Sequence, residues 1–143
     1  MSLNSACLAV ASVVRNVSGI RQGFDYPPDN PNAFPFSVVY PLTGTHEAAP
    51  IGTRRGLHSI TIDVLEPQQS ETLDRFFARF IPFVDSVPAA LLAEIYIGGG
   101  RFAGTVDTFE SVTHTFIPVV NYAAEPMRGY RFTMNNVKIL TNQ

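Results

Sequence analysis

The segment from His58 to Leu65 alternates its side chains in a way that only a β-strand can use. One set would point to one face of a sheet and the other set to the opposite face: His58, Ile60, Ile62 and Val64 against Ser59, Thr61, Asp63 and Leu65. A period of two with one apolar set predicts a half-buried strand in an antiparallel pairing. The chain must therefore build a sheet and cover one of its faces.

A second strand is predicted at Phe36–Tyr40, a compact run of aromatic and β-branched residues. Pro41 is expected to end it, because proline has no backbone donor for the ladder. Residues 42–56 show no periodicity and contain Gly44, Pro50, Gly52 and Gly56. We interpret them as a long loop at the tip of a hairpin that joins Phe36–Tyr40 to Leu57–Leu65, and a loop of this length tends to be functional or disordered.

Two regions have helical periodicity. The first carries one apolar stripe, with Ser2 as a possible cap and Gly19 as a left-handed end: Leu3, Cys7, Val10, Val14 and Val17. The second places its apolar residues at helical spacing: Leu73, Phe76, Phe77, Phe80 and Ile81. Pro82 is expected to break or kink that helix, and a further short helix would then direct Leu91, Leu92 and Ile95 inward.

Further strands are predicted at Arg21–Tyr26, Thr105–Val119 and Gly129–Ile139. In the last of these the apolar phase shifts across Asn135 and Asn136, which predicts a bulge. We therefore predict one domain over residues 1–143 of the α+β class, with a small antiparallel (mixed) sheet and helices packed on one face.

Composition excludes several classes of protein. The net charge of −2 gives no bulk attraction for nucleic acid or anionic membranes. One cysteine, Cys7, excludes an internal disulfide framework and fits a reducing cytoplasm. The first residues have neither the basic start of a signal peptide nor the length of a membrane span. The slightly apolar composition indicates surface that another subunit covers.

No residue pattern predicts catalysis. The three histidines, His46, His58 and His114, form no HExxH pair, and a single cysteine cannot build a zinc knuckle. We expect no enzyme activity, no metal and no cofactor. Arg54 and Arg55 are the only local basic cluster. They are either a solvated loop tip or an interface contact, since paired arginines suit carboxylates on a neighbour.

Several stretches together resemble one protein family. They are FPFSVVYPLTGT (Phe34–Thr45), RRGLHSITIDVLEP (Arg54–Pro67), PFVDSVPAALLAE (Pro82–Glu94), GTVDTFESVTHTFIP (Gly104–Pro118) and the strand Gly129–Phe132. In order and spacing, these stretches resemble the tail terminator (minor tail) proteins of long-tailed bacteriophages. The resemblance covers nearly the whole chain and rests on packing patterns, because no catalytic motif belongs to it.

The resemblance implies a structural virion protein. It implies a ring, typically of six subunits, that binds the head-proximal end of the tail tube, stops tube polymerisation and provides the joint to the head-side connector or neck protein. DNA would pass through the ring without sequence-specific binding. Such a protein is assembled in the host cytoplasm, lies at the neck end of the virion tail and contacts no membrane. The expected contacts with a neighbour or the tube are Thr45, His46, Glu47, Arg54 and Arg55.

Two alternatives remain open from the sequence. The chain could be another neck, head-completion or baseplate component of a phage. It could also be a small-ligand-binding or enzymatic α+β domain whose site consists of backbone groups. A terminator caps tubes, a neck protein binds the portal end, and a ligand-binding domain carries its ligand through purification.

Overall fold

The computed structural model describes residues 3–25, 33–47, 55–68, 72–96, 106–122 and 125–139. Two helices and six strands follow along the chain in the order α1 (Leu3–Arg15), β1 (Gln22–Phe24), β2 (Phe36–Glu47), β3 (Arg55–Pro67), α2 (Leu73–Tyr96), β4 (Val106–Thr108), β5 (Ser111–Tyr122) and β6 (Glu125–Ile139). The sheet has the order β1-β2-β3-β6-β4, and β5 also pairs with β6. Among the strand pairs of the described residues, β1–β2 is the parallel one. The predicted α+β class, with a mixed sheet and helices on one face, is confirmed.

Helix α1 packs on the sheet through the predicted stripe, since Cys7, Val10 and Val14 are all buried. Gly19 has a φ of 97°, the left-handed conformation expected after a helix end. Ser2 lies outside the described residues. Burial raises the pKa of the Cys7 thiol to about 11, and the negative charge of Asp25 adds to the effect. Cys7 is therefore a core residue and a poor nucleophile.

Of the predicted break or kink at Pro82, the break is wrong, and so is the separate short helix after it, because α2 is one helix that contains both Pro82 and Pro88. A proline inside a helix costs about 3 kcal/mol. The buried stripe of this helix contains five large side chains: Phe76, Phe80, Phe83, Val87 and Leu91. Each contributes roughly 1.5–3 kcal/mol when buried, so packing on the sheet outweighs the lost backbone bonds.

The opposite side of α2 is exposed. Leu73 and Ile81 of the predicted apolar set are exposed. Of the residues predicted to point inward, Leu91 is buried and Leu92 is exposed, and nothing is described of the Ile95 side chain. By length and composition alone, Leu73–Glu94 could cross a membrane. We interpret it as a core helix, because its stripe packs on the sheet and Arg79 forms two bonds of 2.7 and 2.6 Å with Glu66 of β3.

The predicted long loop at 42–56 is wrong at both ends. Strand β2 continues through Pro41 to Glu47, and β3 begins at Arg55, so that the two strands pair beyond the predicted hairpin. The ladder shifts register between Pro41 and Thr43. A bulge there accommodates the missing proline donor, and pairing resumes beyond it. Residues 48–54 lie outside the described residues.

Strand β3 is buried on both faces, which corrects the prediction of a half-buried strand. Ile60, Ile62 and Val64 contact the helices as expected. Thr61, Asp63 and Leu65 on the other face are also buried. The neighbours of β3 on both sides, β2 and β6, cover this second face with large side chains and with a second small core.

The second core forms where the β5–β6 hairpin bends over the sheet. The rings of Phe36 on β2 and Tyr122 on β5 lie 5.7 Å apart, although β3 and β6 separate these strands in the sheet. The register of β5 on β6 shifts between Ile117 and Val120, where the hairpin bends. At Gly129 of β6 a Cβ atom would lie 1.8 Å from the carbonyl oxygen of Val64, so only glycine permits this approach.

The predicted bulge near the end of β6 is confirmed. His58 pairs with Val137 and Ile60 with Met134, so Asn135 and Asn136 lie opposite one residue of β3. Asn136 has a φ of 53°, which asparagine tolerates better than most residues. The predicted strand at Thr105–Val119 is divided into β4 and β5, which lie along the same edge of β6.

Replacing Gly129 by alanine tests the bend. We expect Gly129→Ala to lower the free energy of unfolding by more than about 3 kcal/mol, because backbone atoms of Val64 must move to admit the methyl group. Chemical denaturation measures the loss. The matched comparison is Gly44→Ala, whose new methyl would meet the ring of His58 and no backbone atom, so its cost should be smaller. Equal and small losses in both variants would contradict the close approach at Gly129.

Candidate functional site

The far end of the β2–β3 hairpin lies beside the last described residues of β6. We call residues 42–47 of β2 and 55–58 of β3 the arm. The last partner of β3 on β6 is Lys138, opposite Leu57. Of the two outermost pairs of the arm, His46 with Gly56 lies level with Ile139, the last described residue of β6, and Glu47 with Arg55 lies one position beyond it.

The arm contains most of the residues that the sequence predicted as an interface. Thr45, His46 and Glu47 are the last residues of β2, and Arg55 is the first residue of β3. Glu47 and Arg55 lie directly opposite each other. Arg54 lies outside the described residues. Four of the five predicted residues are thus brought together at one end of the sheet, as strand positions and not as a loop.

The base of the arm exposes apolar surface. Leu42 is 57% exposed and Leu57 is 44% exposed, one on each strand. Beside them lies a shallow cleft of about 240 Å³, lined by Leu3, Pro41, Leu42, Thr43, Gly44 and His58. A two-stranded ribbon by itself is marginally stable in water. Exposed leucines at the base of such a ribbon favour a surface that another chain covers.

A second cleft, of about 410 Å³, lies between the two helices. Its lining residues are Ser12, Val13, Asn16, Val17, Ala90 and Glu94. The amide of Asn16 donates a hydrogen bond of 3.0 Å to the carbonyl of Ser12, so that side chain is already used within its own helix. The cleft offers one carboxylate, Glu94, and no nucleophile paired with a base, which gives it no chemistry that we can assign.

A buried carboxylate organises the second face of the sheet. Asp63 is fully buried, and its oxygens accept bonds from Arg131 at 2.9 and 3.2 Å and from the hydroxyl of Tyr40 at 3.0 Å. The three residues lie on the adjacent strands β2, β3 and β6. Arg131 remains 40% exposed, so water reaches one side of the cluster. The hydrogen bonds between Asp63, Arg131 and Tyr40 hold the three strands in register.

The two tyrosines of this face are held in the neutral form. Burial raises the pKa of Tyr122 to about 12, with a further contribution from the charge of Asp63 and an opposing one from Arg131. Burial and the Asp63 charge raise the pKa of Tyr40 as well. Both phenols therefore remain hydrogen-bond donors at neutral pH, and neither is activated as a base.

The sequence did not predict the Asp63 cluster. The strand pattern assigned Asp63 to the outward face of β3, but the pattern does not reveal which residues lie beside it. Arg131 and Asp63 pair only because of the register between β3 and β6, and Tyr40 reaches them from β2 two positions beyond Val38, the residue paired with Asp63. A charged residue inside an otherwise apolar strand was the only available sign.

The described histidines do not form a site. His58 lies opposite Val137 of β6, whereas His114 of β5 lies opposite Phe132 of β6, so β6 separates them. His46 belongs to the arm. Within the described ranges, no group of three or more histidine, cysteine, aspartate or glutamate side chains could hold a metal ion.

Neither protein-family models nor the curated proteins gave any match to this chain.

The Asp63 cluster predicts a specific mutational pattern. Arg131→Ala leaves a buried carboxylate with only the Tyr40 hydroxyl among its described side-chain partners, so we expect about 2 kcal/mol of lost stability. This is less than for a fully buried pair because Arg131 is partly exposed. Arg75→Ala, at an exposed position, removes the same charge and should cost under about 0.5 kcal/mol. In the double variant Asp63→Asn/Arg131→Ala, part of the loss should be recovered, as denaturation would measure.

The raised pKa of Tyr122 predicts a loss of stability in alkali. Unfolded tyrosine releases its proton near pH 10, whereas folded Tyr122 retains it to about 12. Stability from this group is therefore complete below about pH 10 and falls as the pH rises toward 12. Urea denaturation at about pH 9 and about pH 11 should show this decrease in the wild type and a smaller one in Tyr122→Phe. An identical decrease in both proteins would contradict the assignment.

Proposed function

We propose that this chain is a structural virion protein, a tail terminator whose ring caps the tail tube of a long-tailed phage. The ring stops tube polymerisation and provides the joint to the head-side connector or neck protein. The resemblance of five sequence stretches to that family supports the proposal. So does the α+β fold, whose small sheet carries helices on one face as the family resemblance implies.

The single observation that carries the proposal is the arm. Its last described pair, Glu47 with Arg55, lies at the end of the described part of β6, and the arm exposes Leu42 on β2 and Leu57 on β3. Exposed apolar side chains on both strands of the arm favour a surface that a neighbouring subunit or the tube covers. An assembly subunit needs such a surface, whereas a small-molecule enzyme needs an enclosed site.

The arm residues supply the proposed contacts. Glu47 and Arg55 are opposite in charge and adjacent across the ladder, at the outermost described pair. Arginine forms forked bonds with carboxylates, so Arg54 and Arg55 are assigned to acidic groups on the neighbour or the tube. Thr45, His46 and Glu47 form the other strand of the same contact. DNA passes through the ring without sequence-specific binding.

The proposal assigns no catalytic step and no cofactor. Assembly requires only complementary surfaces, and the protein acts at the neck end of the tail after assembly in the host cytoplasm. His46, His58 and His114 consequently have no chemical role. Variants of these histidines that fold normally should retain assembly.

Ring formation and tube capping provide the test. Light scattering of the concentrated protein should give a mass of about 94 kDa, six times the 15.7 kDa of the chain. Added to polymerising tail-tube protein of the same phage, it should bind tube ends and limit tube length. Arg54→Ala/Arg55→Ala should keep the wild-type melting temperature and weaken capping. Arg15→Ala/Arg75→Ala is the matched control, since both residues are exposed helix positions far along the chain from the arm.

Other outcomes would contradict the proposal. A monomer at high concentration that neither binds nor shortens tubes would exclude a terminator. Binding to the portal end of the head, and not to the tube, would assign the chain to another neck component. A small molecule retained through purification would favour a ligand-binding domain.

A further inference from the structure

Strand β5 is a long strand at the edge of the sheet. It spans 12 residues and, in the part of the chain that the structure describes, it pairs only with β6. Side chains along its first half are exposed, among them Ser111, Thr113, His114 and Thr115. Within the described residues, the backbone N–H and C=O groups on its outer side therefore have no partner strand.

The sequence of β5 lacks the features that usually protect such an edge. The segment SVTHTFIPVVNY contains no lysine, arginine, aspartate or glutamate, and its only proline, Pro118, lies at the bulge beyond Ile117. Natural edge strands avoid unwanted pairing with charges, with prolines or by being short. Seven residues of uncharged, largely β-branched strand from Ser111 to Ile117 have none of these, which favours an edge that a partner strand covers in the working protein.

Among the described residues, the opposite side of the same sheet has a second edge without a partner strand. The described ladder between β1 and β2 covers Phe36–Val38. Beyond Pro41, the distal part of β2 (residues 42–47) pairs with β3 on one side and with no described strand on the other. Its first five residues, LTGTH, are uncharged, and Leu42, Thr43 and Gly44 are exposed.

We propose that the edge of β5 pairs through backbone hydrogen bonds with the distal part of β2 of a second copy of this chain. The sheet then continues from one subunit into the next. This inference deepens the proposed function, on which it rests, by naming the interface that closes the ring. Each subunit contributes β5 on one side and the arm on the other, a head-to-tail contact that generates a ring when its rotation closes.

The two edges fit each other in length and in charge. Seven residues of β5 can pair with six residues of β2, a ladder of about 20 Å at 3.4 Å per residue. The segment Ser111–Ile117 contains no acidic or basic residue, and residues 42–47 contain one, Glu47. Pairing of the two segments would therefore bring no like charges together. A foreign partner would have to match only one edge, whereas the presence of two unprotected edges of similar length in one chain selects a second copy.

Proline substitution tests the pairing at a single hydrogen bond. The N–H groups of successive residues in an antiparallel strand point alternately to each neighbour. One of the two variants Thr113→Pro and His114→Pro therefore loses a hydrogen bond to β6, and its domain should unfold more easily. The other loses only a backbone N–H that points away from β6. The variant that keeps the wild-type melting temperature should show at least about tenfold weaker self-association by sedimentation. Wild-type self-association in that variant overturns the proposal.

If both variants unfold, amide hydrogen exchange of the wild type tests the same strand pairing. Dilute monomer and concentrated ring are compared by residue-resolved exchange. Alternate amides of Ser111–Ile117 and of residues 42–47, those that point away from β6 and from β3, should exchange at least about tenfold more slowly in the ring. Equal exchange in both states overturns the proposal. So does full protection in the monomer, because another part of the same chain would then cover β5.

The two proposals fail in different ways. Rings that form through β5 but do not bind tube ends would remove the tail terminator function and keep the interface. Tubes that are capped while the β5 amides exchange freely would keep the function and remove the interface.

Discussion

The close approach of β6 to β3 at Gly129 is the constraint on which the rest of the fold depends. Gly129 has no Cβ that would collide with the Val64 carbonyl, so the two strands can approach and bend there. The β5–β6 hairpin consequently reaches over the second face of the sheet. The bend places Tyr122 against Phe36 and gives β3 cover on the side away from the helices. One core therefore lies between the sheet and the two helices, and the second lies between the sheet and the bent β5–β6 hairpin.

The Asp63 cluster depends on that bend. Burial of a carboxylate is unfavourable unless it is bonded, and the register of β2, β3 and β6 supplies Tyr40 and Arg131 as its partners. The same register places the arm at the far end of the sheet and β5 at its edge. Within the described residues, the distal part of β2 and the outer side of β5 have no partner strand. That distribution suits a subunit whose neighbours complete its sheet.

Local patterns predicted the parts of this fold that local forces determine. The α1 stripe, the antiparallel strand β3 and the bulge at Asn135 and Asn136 each follow from side-chain period or turn chemistry and are confirmed, although β3 is buried on both faces and not on one. The errors occurred where tertiary packing outweighed a local rule. Pro82 does not break α2 because the buried phenylalanines hold it on the sheet, and Pro41 does not end β2 because a register shift absorbs it. The arm residues were predicted by resemblance, but the Asp63 cluster and the β5 edge depend on strand order, which no single segment encodes.

Electron microscopy of tail tubes assembled with this protein tests the central claim most directly. Averages of tube ends should show one added layer with the sixfold symmetry of a closed ring at one end only, with subunit density continuous from each copy to the next. Tube ends without added density at protein concentrations where the ring forms would contradict the account. So would density that decorates the tube along its length.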